Sequence, residues 1–88
     1  MKWSSLSGPE LDLHRLTTDE ALPRIDQFLY ESYVARISSV RIVHGKGTGA
    51  LRSAVRDYLP THHLVKSFRL AGKEDGGVGV TVVKLVDK

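Results

Sequence analysis

The stretch VRIVHGKGTGALRSAVRDYL, residues 40–59, holds a strand, a loop and a helix in direct succession. Its first four residues are β-branched apart from one arginine, which is typical of a buried central strand. Farther on, Leu51, Val55, Tyr58 and Leu59 recur at helical spacing, and Pro60 then stops the helix. We therefore expect a strand–loop–helix unit, which is a building block of sheets covered by helices.

The loop of this unit, residues 44–49, has a glycine at every second position. Glycine lets backbone N–H groups turn toward one point and lets a ligand approach the chain closely. The start of the following helix adds the positive end of its dipole. We predict that this loop binds an anion such as phosphate, with Lys46 and Thr48 beside it and His44 at its rim.

Upstream of this unit the sequence predicts a short strand and a first helix. Residues 11–14 alternate apolar and polar, which sends both leucines to one face and Asp12 with His14 to the other. Thr17 and Glu20 match a capping box at the start of a helix that runs to about Ala35. Pro23 lies in the second turn of that helix, so either the helix begins later or it bends there.

Downstream, residues 64–70 and 80–86 are predicted as strands of a hairpin, joined by a glycine-rich loop over residues 71–79. The element order is then βαβαββ. Because parallel crossovers are right-handed, both helices should lie on the same face of one sheet. The predicted fold is α/β, an α+β two-layer sandwich of a four-stranded mixed sheet with two helices on one face. His14, His44 and the glycine loop follow the carboxyl ends of strands, where such sheets bind ligands.

Charge is distributed unevenly along the chain. Residues 10–31 carry six acids and two arginines, a net charge of −4, whereas residues 34–69 carry seven bases and one acid, a net charge of +6. A basic stretch around a phosphate-binding loop favours a polyanionic partner, and nucleic acid is the first candidate.

Composition and length exclude several classes of protein. Without cysteine the chain has no disulfide, no thiolate nucleophile and no cysteine-based zinc site. No apolar run approaches the ~20 residues that cross a bilayer, so we expect a cytoplasmic protein with no membrane partner. The length of 88 residues suits one domain, which we assign to residues 10–88. Residues 1–9 are predicted to be a flexible tail or linker remnant, with Trp3 as its one large anchor.

Four runs of the chain resemble, in order and spacing, the small MutS-related (Smr) domain: LDLHR at residues 11–15, VRIVHGKGTGALRSAVRDYL at 40–59, VKSFRLA at 65–71 and GGVGVTVVKL at 76–85. The middle run is most similar to the C-terminal domain of the second type of bacterial MutS protein. The resemblance implies the βαβαββ sandwich that is also found in the C-terminal half of translation initiation factor three. It further implies nucleic-acid binding, often with nicking endonuclease activity on DNA or RNA.

The resemblance assigns functional positions to the first strand, the glycine loop and a late glycine turn that includes Gly76. Arg15 departs from the family, which usually has glycine there, and its side chain could add a phosphate contact or obstruct the cleft. The predicted nucleic-acid-binding residues are the cations and glycines around these motifs: Arg15, Arg41, Gly45, Lys46, Gly47, Thr48, Gly49, Arg52, Arg56, Arg69, Gly77 and Gly79.

Cleaving a phosphodiester needs a base, an acid and positive groups for the phosphoryl oxygens. We predict Asp12, His14, His44 and Lys46 as catalytic residues: His44 as the acid or base, Lys46 on the phosphate, and Asp12 orienting His14 or a water. One carboxylate with two histidines is too small a ligand set for a tightly held metal. No metal site or certain cofactor is therefore predicted, and a weakly bound divalent cation at Asp12 stays open.

Other interpretations compete with nicking. A module without turnover would use the same loop to hold DNA, branched DNA included, or ribosomal RNA within a larger MutS-related ATPase that acts in recombination suppression or ribosome rescue. Gly45, Gly47 and Ala50 also fit a dinucleotide fingerprint, but the acid expected about 20 residues on is missing. Asp12 could instead cap a turn or pair with Arg15. His62 and His63 are expected in a solvated turn without function.

Overall fold

The computed structural model describes residues 9–73 and 77–87. Within these ranges the elements are β1 (Glu10–Asp12), α1 (Thr18–Val34), β2 (Ser39–Val43), α2 (Ala50–Tyr58), β3 (Val65–Leu70) and β4 (Val80–Leu85), with short 3₁₀ turns at Leu59–Thr61 and Gly77–Gly79. Residues 1–8 of the predicted tail, which spans residues 1–9, lie outside the described residues. Gly76 of the late glycine turn also lies outside them.

The four strands form one mixed sheet in the order β1-β2-β4-β3. β1 runs parallel to β2, and β4 runs antiparallel to both β2 and β3. The two helices contact each other and pack on one face of the sheet. The predicted βαβαββ sandwich is therefore confirmed, and so is the final hairpin.

The start of α1 is set by its capping box. The Thr17 hydroxyl accepts a hydrogen bond from the Glu20 amide, and the Glu20 carboxylate accepts one from the Thr17 amide at 2.9 Å. The hydrogen bonds that the Glu20 carboxylate accepts from the Thr17 amide and hydroxyl lower the pKa of Glu20. The helix begins at Thr18 and contains Pro23 in its interior, which rules out the later start.

The two faces of the sheet bury separate apolar clusters. The face under the helices holds the main core, whose largest fully buried side chains are Leu13, Ile25, Leu29, Val40, Ile42, Val55, Leu59 and Val83. On the opposite face Val80 and Val82 pack with Ala71 and Val43. This division follows from the period of two along each strand, which sends neighbouring residues of β4 to opposite faces.

The predicted end of α1 near Ala35 is confirmed, although no glycine marks it. Arg36 adopts a φ of +62° there. Its amide donates to the carbonyl of Tyr33, and the amide of Ile37 donates to the carbonyl of Ser32. This pair of hydrogen bonds is a Schellman motif, which normally places glycine at the left-handed position.

Replacing Arg36 by glycine should therefore stabilise the fold. A side chain in the left-handed region costs free energy that glycine does not, so we expect Arg36→Gly to raise the free energy of unfolding by roughly 0.5–1 kcal/mol. Urea denaturation measures this difference, and Arg36→Ala, which keeps the Cβ, serves as the control. Equal stabilities of the two variants would contradict the assignment.

The predicted solvated turn at residues 62–63 is wrong for His62, whose side chain is buried. Its Nε2 lies 2.8 Å from the Asp26 carboxylate, and its Nδ1 accepts a hydrogen bond from the Leu64 amide. His63 is exposed and stacks on the His62 ring. The local pattern could not reveal this environment because Asp26 belongs to α1, far back in the chain.

Across the described ranges, neither helix has the length and apolar character that crossing a membrane requires.

Candidate functional site

The parallel pairing of β1 and β2 brings together two motifs that are distant in the chain. Asp12 pairs with Val43, and the Leu13 amide donates to the Val43 carbonyl at 2.7 Å. The residues that follow each strand therefore meet at one edge of the sheet. The contact is close, because a Cβ built on Gly45 would lie 3.1 Å from the Cβ of His14.

A cleft of about 510 Å³ opens at this edge, lined by residues 14, 16–18 and 44–52. Its walls are the segment that joins β1 to α1, the glycine loop of residues 44–49, and the first turn of α2. The predicted site residues that are not among those lining it are Asp12, Arg15, Arg41, Arg56, Arg69, Gly77 and Gly79.

The backbone of the glycine loop divides into two parts. The amides of His44 and Gly45 both donate to the carbonyl of Gly79 at 3.0 Å, so they are not available to a ligand. The amides of Lys46, Gly47 and Thr48 find no acceptor among the described residues. The second part of the loop therefore offers the N–H groups that an anion site needs.

Positive charge on the cleft wall comes from the start of α2 and from two side chains. Gly49, with a φ of +86°, caps this helix without a side-chain hydrogen bond, and the first turn contains no acidic residue. The Thr48 hydroxyl accepts from the Ala50 amide at 3.3 Å. In the part of the chain that is described, no acid pairs with Lys46 or Arg52. The dipole and both cations are thus left to attract an anion.

Three hydrogen bonds connect His14, which lines the cleft, to Asp12 and Arg15, which do not. The Asp12 carboxylate lies 2.5 Å from Nδ1 of His14 and also accepts from the His14 amide at 3.0 Å. Both hydrogen bonds lower the pKa of Asp12, the one to the side chain most. Nε of Arg15 donates to Nε2 of His14 at 3.2 Å. Asp12 and His14 are about half exposed, at 56% and 47% of their side chains.

His44 lies beneath the loop, where only 3% of it is exposed. Its Nδ1 is 3.1 Å from the Gly45 carbonyl, and its Nε2 is 2.8 Å from the Thr81 hydroxyl. Because a carbonyl can only accept, Nδ1 carries the proton and the hydroxyl donates to a neutral ring. Burial lowers the pKa of His44, and the charge of Arg52 lowers it further, against the opposing effect of the Gly45 hydrogen bond.

The neutral His44 predicts a pH dependence of stability. Since the folded state holds this pKa below its unfolded value, the unfolded chain binds more protons at mildly acidic pH. We expect the free energy of unfolding to fall as the pH drops below about 6.5, where a free imidazole begins to titrate.

Denaturation at pH 7 and pH 5 measures this effect. His44→Gln, which can keep one donor and one acceptor without titrating, should lose less stability over that interval than the wild type. An equal loss in both proteins would contradict the burial of a neutral ring.

Several predicted binding residues lie elsewhere on the surface. Arg41 and Arg69 flank Val82 on the sheet face away from the helices, where Arg41 pairs with Glu10 at 3.0 Å. Arg56 is exposed on α2 beside Asp57, at 3.7 Å. Gly77 has a φ of +70°, whereas Gly79 lies against the glycine loop, since a Cβ there would lie 3.5 Å from Gly45 and 3.6 Å from the Lys46 side chain. The binding roles of the three arginines stay predictions.

Sequence reasoning missed Thr81, which positions His44. The available signal was a single hydroxyl in the valine-rich run of β4, at a position that alternation sends to the core face. Thr17 and Thr18 were also missed as cleft residues. Within the described ranges, no three histidine or acidic side chains converge in a way that could hold a metal ion.

Comparison with known proteins identifies relatives of this chain. The chain is 52% identical over 78 residues to a protein named Endonuclease MutS2 from Pelotomaculum thermopropionicum, covering 89% of this chain and 10% of that protein. A protein of the same name from Symbiobacterium thermophilum is 53% identical over 78 residues, with the same coverage. The chain thus spans about a tenth of the length of these curated relatives.

Solved structures show the same fold. The crystal structure of the Smr domain of Thermus thermophilus MutS2 matches with a TM-score of 0.86 at 49% identity, covering 89% of this chain and 98% of that one. YdaL, a stand-alone small MutS-related protein from Escherichia coli, matches with a TM-score of 0.83 at 26% identity, covering 96% of this chain and 67% of that one. The family model described as the Smr domain covers residues 11–86. The chain therefore belongs to the Smr domain family.

Proposed function

We propose that this domain binds nucleic acid in the cleft and hydrolyses a phosphodiester bond of one strand, as a nicking nuclease. The observation that carries the proposal is that His14, held by Asp12, lines the same cleft as Lys46, Arg52 and the loop amides that find no acceptor among the described residues. A general base and a group of N–H donors and cations beside one bound phosphate are what attack of water on a phosphodiester requires. The name endonuclease, borne by relatives at about half identity, agrees with this class of reaction.

In the proposed reaction the glycine loop and the start of α2 bind the phosphate, and His14 with Asp12 activates the water. The amides of Lys46, Gly47 and Thr48, with the Lys46 and Arg52 side chains, hold the phosphate and stabilise charge on its oxygens. Asp12 keeps the proton of His14 on Nδ1, which leaves Nε2 to take a proton from water. The water oxygen forms the new P–O bond, the bond to the leaving sugar oxygen breaks, and that oxygen takes a proton from solvent.

His44 supports the loop in this proposal and does not itself transfer the proton. Both of its ring nitrogens are engaged inside the protein, and its amide helps to hold the loop against Gly79. Direct acid–base work by His44, as expected from the sequence, would require breaking its hydrogen bond to Thr81 or Gly45.

Binding can be tested through its salt dependence. The affinity for a fluorescent duplex oligonucleotide should fall with added salt, and each phosphate contact contributes about 0.9 to the log–log slope. Lys46→Ala and Arg52→Ala should each reduce that slope by about one contact, whereas Lys66→Ala, an exposed cation on β3, should leave it unchanged. A salt dependence with zero slope for the wild type would contradict the proposed binding of nucleic acid in the cleft.

A second candidate function is nucleic-acid binding without turnover. It is favoured by the hydrogen bond from Arg15, which occupies the His14 nitrogen that a base would use. Incubation of the purified domain with supercoiled plasmid separates the two functions. Nicked circles that depend on His14 support the nuclease, and binding without nicking supports the module. We further propose that this domain is part of a larger MutS-related protein and that it acts on branched DNA or ribosomal RNA. The same binding and nicking assays, run with those nucleic acids, test the choice of substrate.

A further inference from the structure

The three linked side chains Asp12, His14 and Arg15 define where the proton of His14 resides. The Asp12 carboxylate, whose pKa is lowered, is ionised at neutral pH and can only accept, so Nδ1 must carry the proton. The Arg15 guanidinium has only donors and keeps its charge in proteins. Its hydrogen bond to Nε2 therefore requires an unprotonated nitrogen there. Together these contacts are compatible only with a neutral ring that has its basic lone pair covered.

The Arg15 side chain, which donates to Nε2 of His14, is free to adopt another position. Arg15 is exposed, and its contact with His14 uses only one of the five guanidinium donors. The remaining donors form the planar fork that matches two oxygens of a phosphate. A neutral imidazole nitrogen is also a weaker acceptor for a guanidinium than a phosphate, because only the phosphate adds an opposite charge and can accept two parallel N–H hydrogen bonds.

The position of His14 on the cleft wall brings these two acceptors into competition. His14 lines the cleft together with the residues of the glycine loop, and Arg15, which is not among the lining residues, follows His14 directly in the chain. A phosphodiester held by that loop would thus lie within the reach of a long arginine side chain. Moving the guanidinium to the phosphate would add a contact to the substrate and expose Nε2 in the same step.

We propose that Arg15 is a substrate-responsive cap on His14: it covers Nε2 in the free protein and is drawn away by a bound phosphodiester, so that the base is exposed only when substrate is present. This inference rests on the proposed function and adds its regulation. Arg15 is a positioning residue here, since it acts on the reaction through His14. Neither a simple phosphate contact nor simple obstruction, the two alternatives left open by the sequence, combines these effects.

Nitrogen NMR of histidine-labelled protein tests the cap without measuring activity. The Nε2 resonance of His14 should differ between the wild type and Arg15→Ala, because losing a charged donor changes the shielding of a lone pair. Arg24→Ala removes the same charge from an exposed site on α1 and should leave that resonance in place. Identical His14 signals in the wild type and in Arg15→Ala would overturn the proposal.

Titration with inorganic phosphate tests the release. In the wild type, phosphate should move the Nε2 resonance toward its position in Arg15→Ala, whereas sodium chloride at equal ionic strength should not. If saturating phosphate does not shift the Nε2 resonance of the wild type, the proposal is also overturned. If the resonance responds as expected but wild-type protein never nicks plasmid, the nuclease assignment fails and the cap on His14 stands.

Discussion

Purified protein with His14→Ala should nick supercoiled plasmid roughly 100- to 10,000-fold more slowly than the wild type, the range that a general base contributes. The physical reason is the removal of the one exposed imidazole on the cleft wall, whose Nδ1 is held by Asp12. Binding of the same DNA should change little, because the proposed phosphate contacts come from the glycine loop and Arg52 and not from His14. Initial rates of nicking, with affinity measured in parallel by fluorescence anisotropy, give both quantities.

Two further variants sharpen this experiment. Asp12→Asn should also slow nicking, because a neutral amide accepts the hydrogen bond from Nδ1–H of His14 more weakly than a carboxylate does. The imidazole ring then loses its fixed orientation. His44→Gln should keep most of the activity as long as the loop keeps its shape. Full activity in His14→Ala together with loss in His44→Gln would reverse these assignments and favour the role expected for His44 from the sequence.

Substituting alanine for Gly45 should have the second large effect. Its φ of +79° is a conformation that side chains rarely adopt, and the new Cβ would lie 3.1 Å from the Cβ of His14. We expect a loss of roughly 1–2 kcal/mol in the free energy of unfolding, with a further loss of nicking because His14 is pushed from its position. Urea denaturation and the plasmid assay separate the two losses.

Gly72→Ala is the matched control for this substitution. A Cβ at Gly72 meets nothing within 4 Å, and its φ is outside the left-handed region. This variant should keep both stability and activity. If Gly45→Ala were as stable and as active as Gly72→Ala, the close approach of the loop to His14 would contribute neither to stability nor to activity.

Local patterns in the sequence predicted most of the fold. The capping box at Thr17 and the helical spacing after Leu51 depend only on neighbours within one turn, so they can be identified without tertiary contacts. The end of α1 near Ala35 was predicted, but the left-handed conformation of Arg36 was not, because no glycine marks that position. The burial of His62 was missed because its partner, Asp26, comes from another element.

The candidate site shows the same division. From the residues alone one can identify the glycine loop, its following helix and the Asp12–His14 alternation, because backbone freedom and strand period are local properties. Only the tertiary structure decided that the loop meets His14, since that contact depends on β1 pairing in parallel with β2. It also decided that His44 is buried against Thr81 and that Arg41 and Arg69 lie on the far face. Burial and facing depend on which strands become neighbours, a property that nonlocal packing determines.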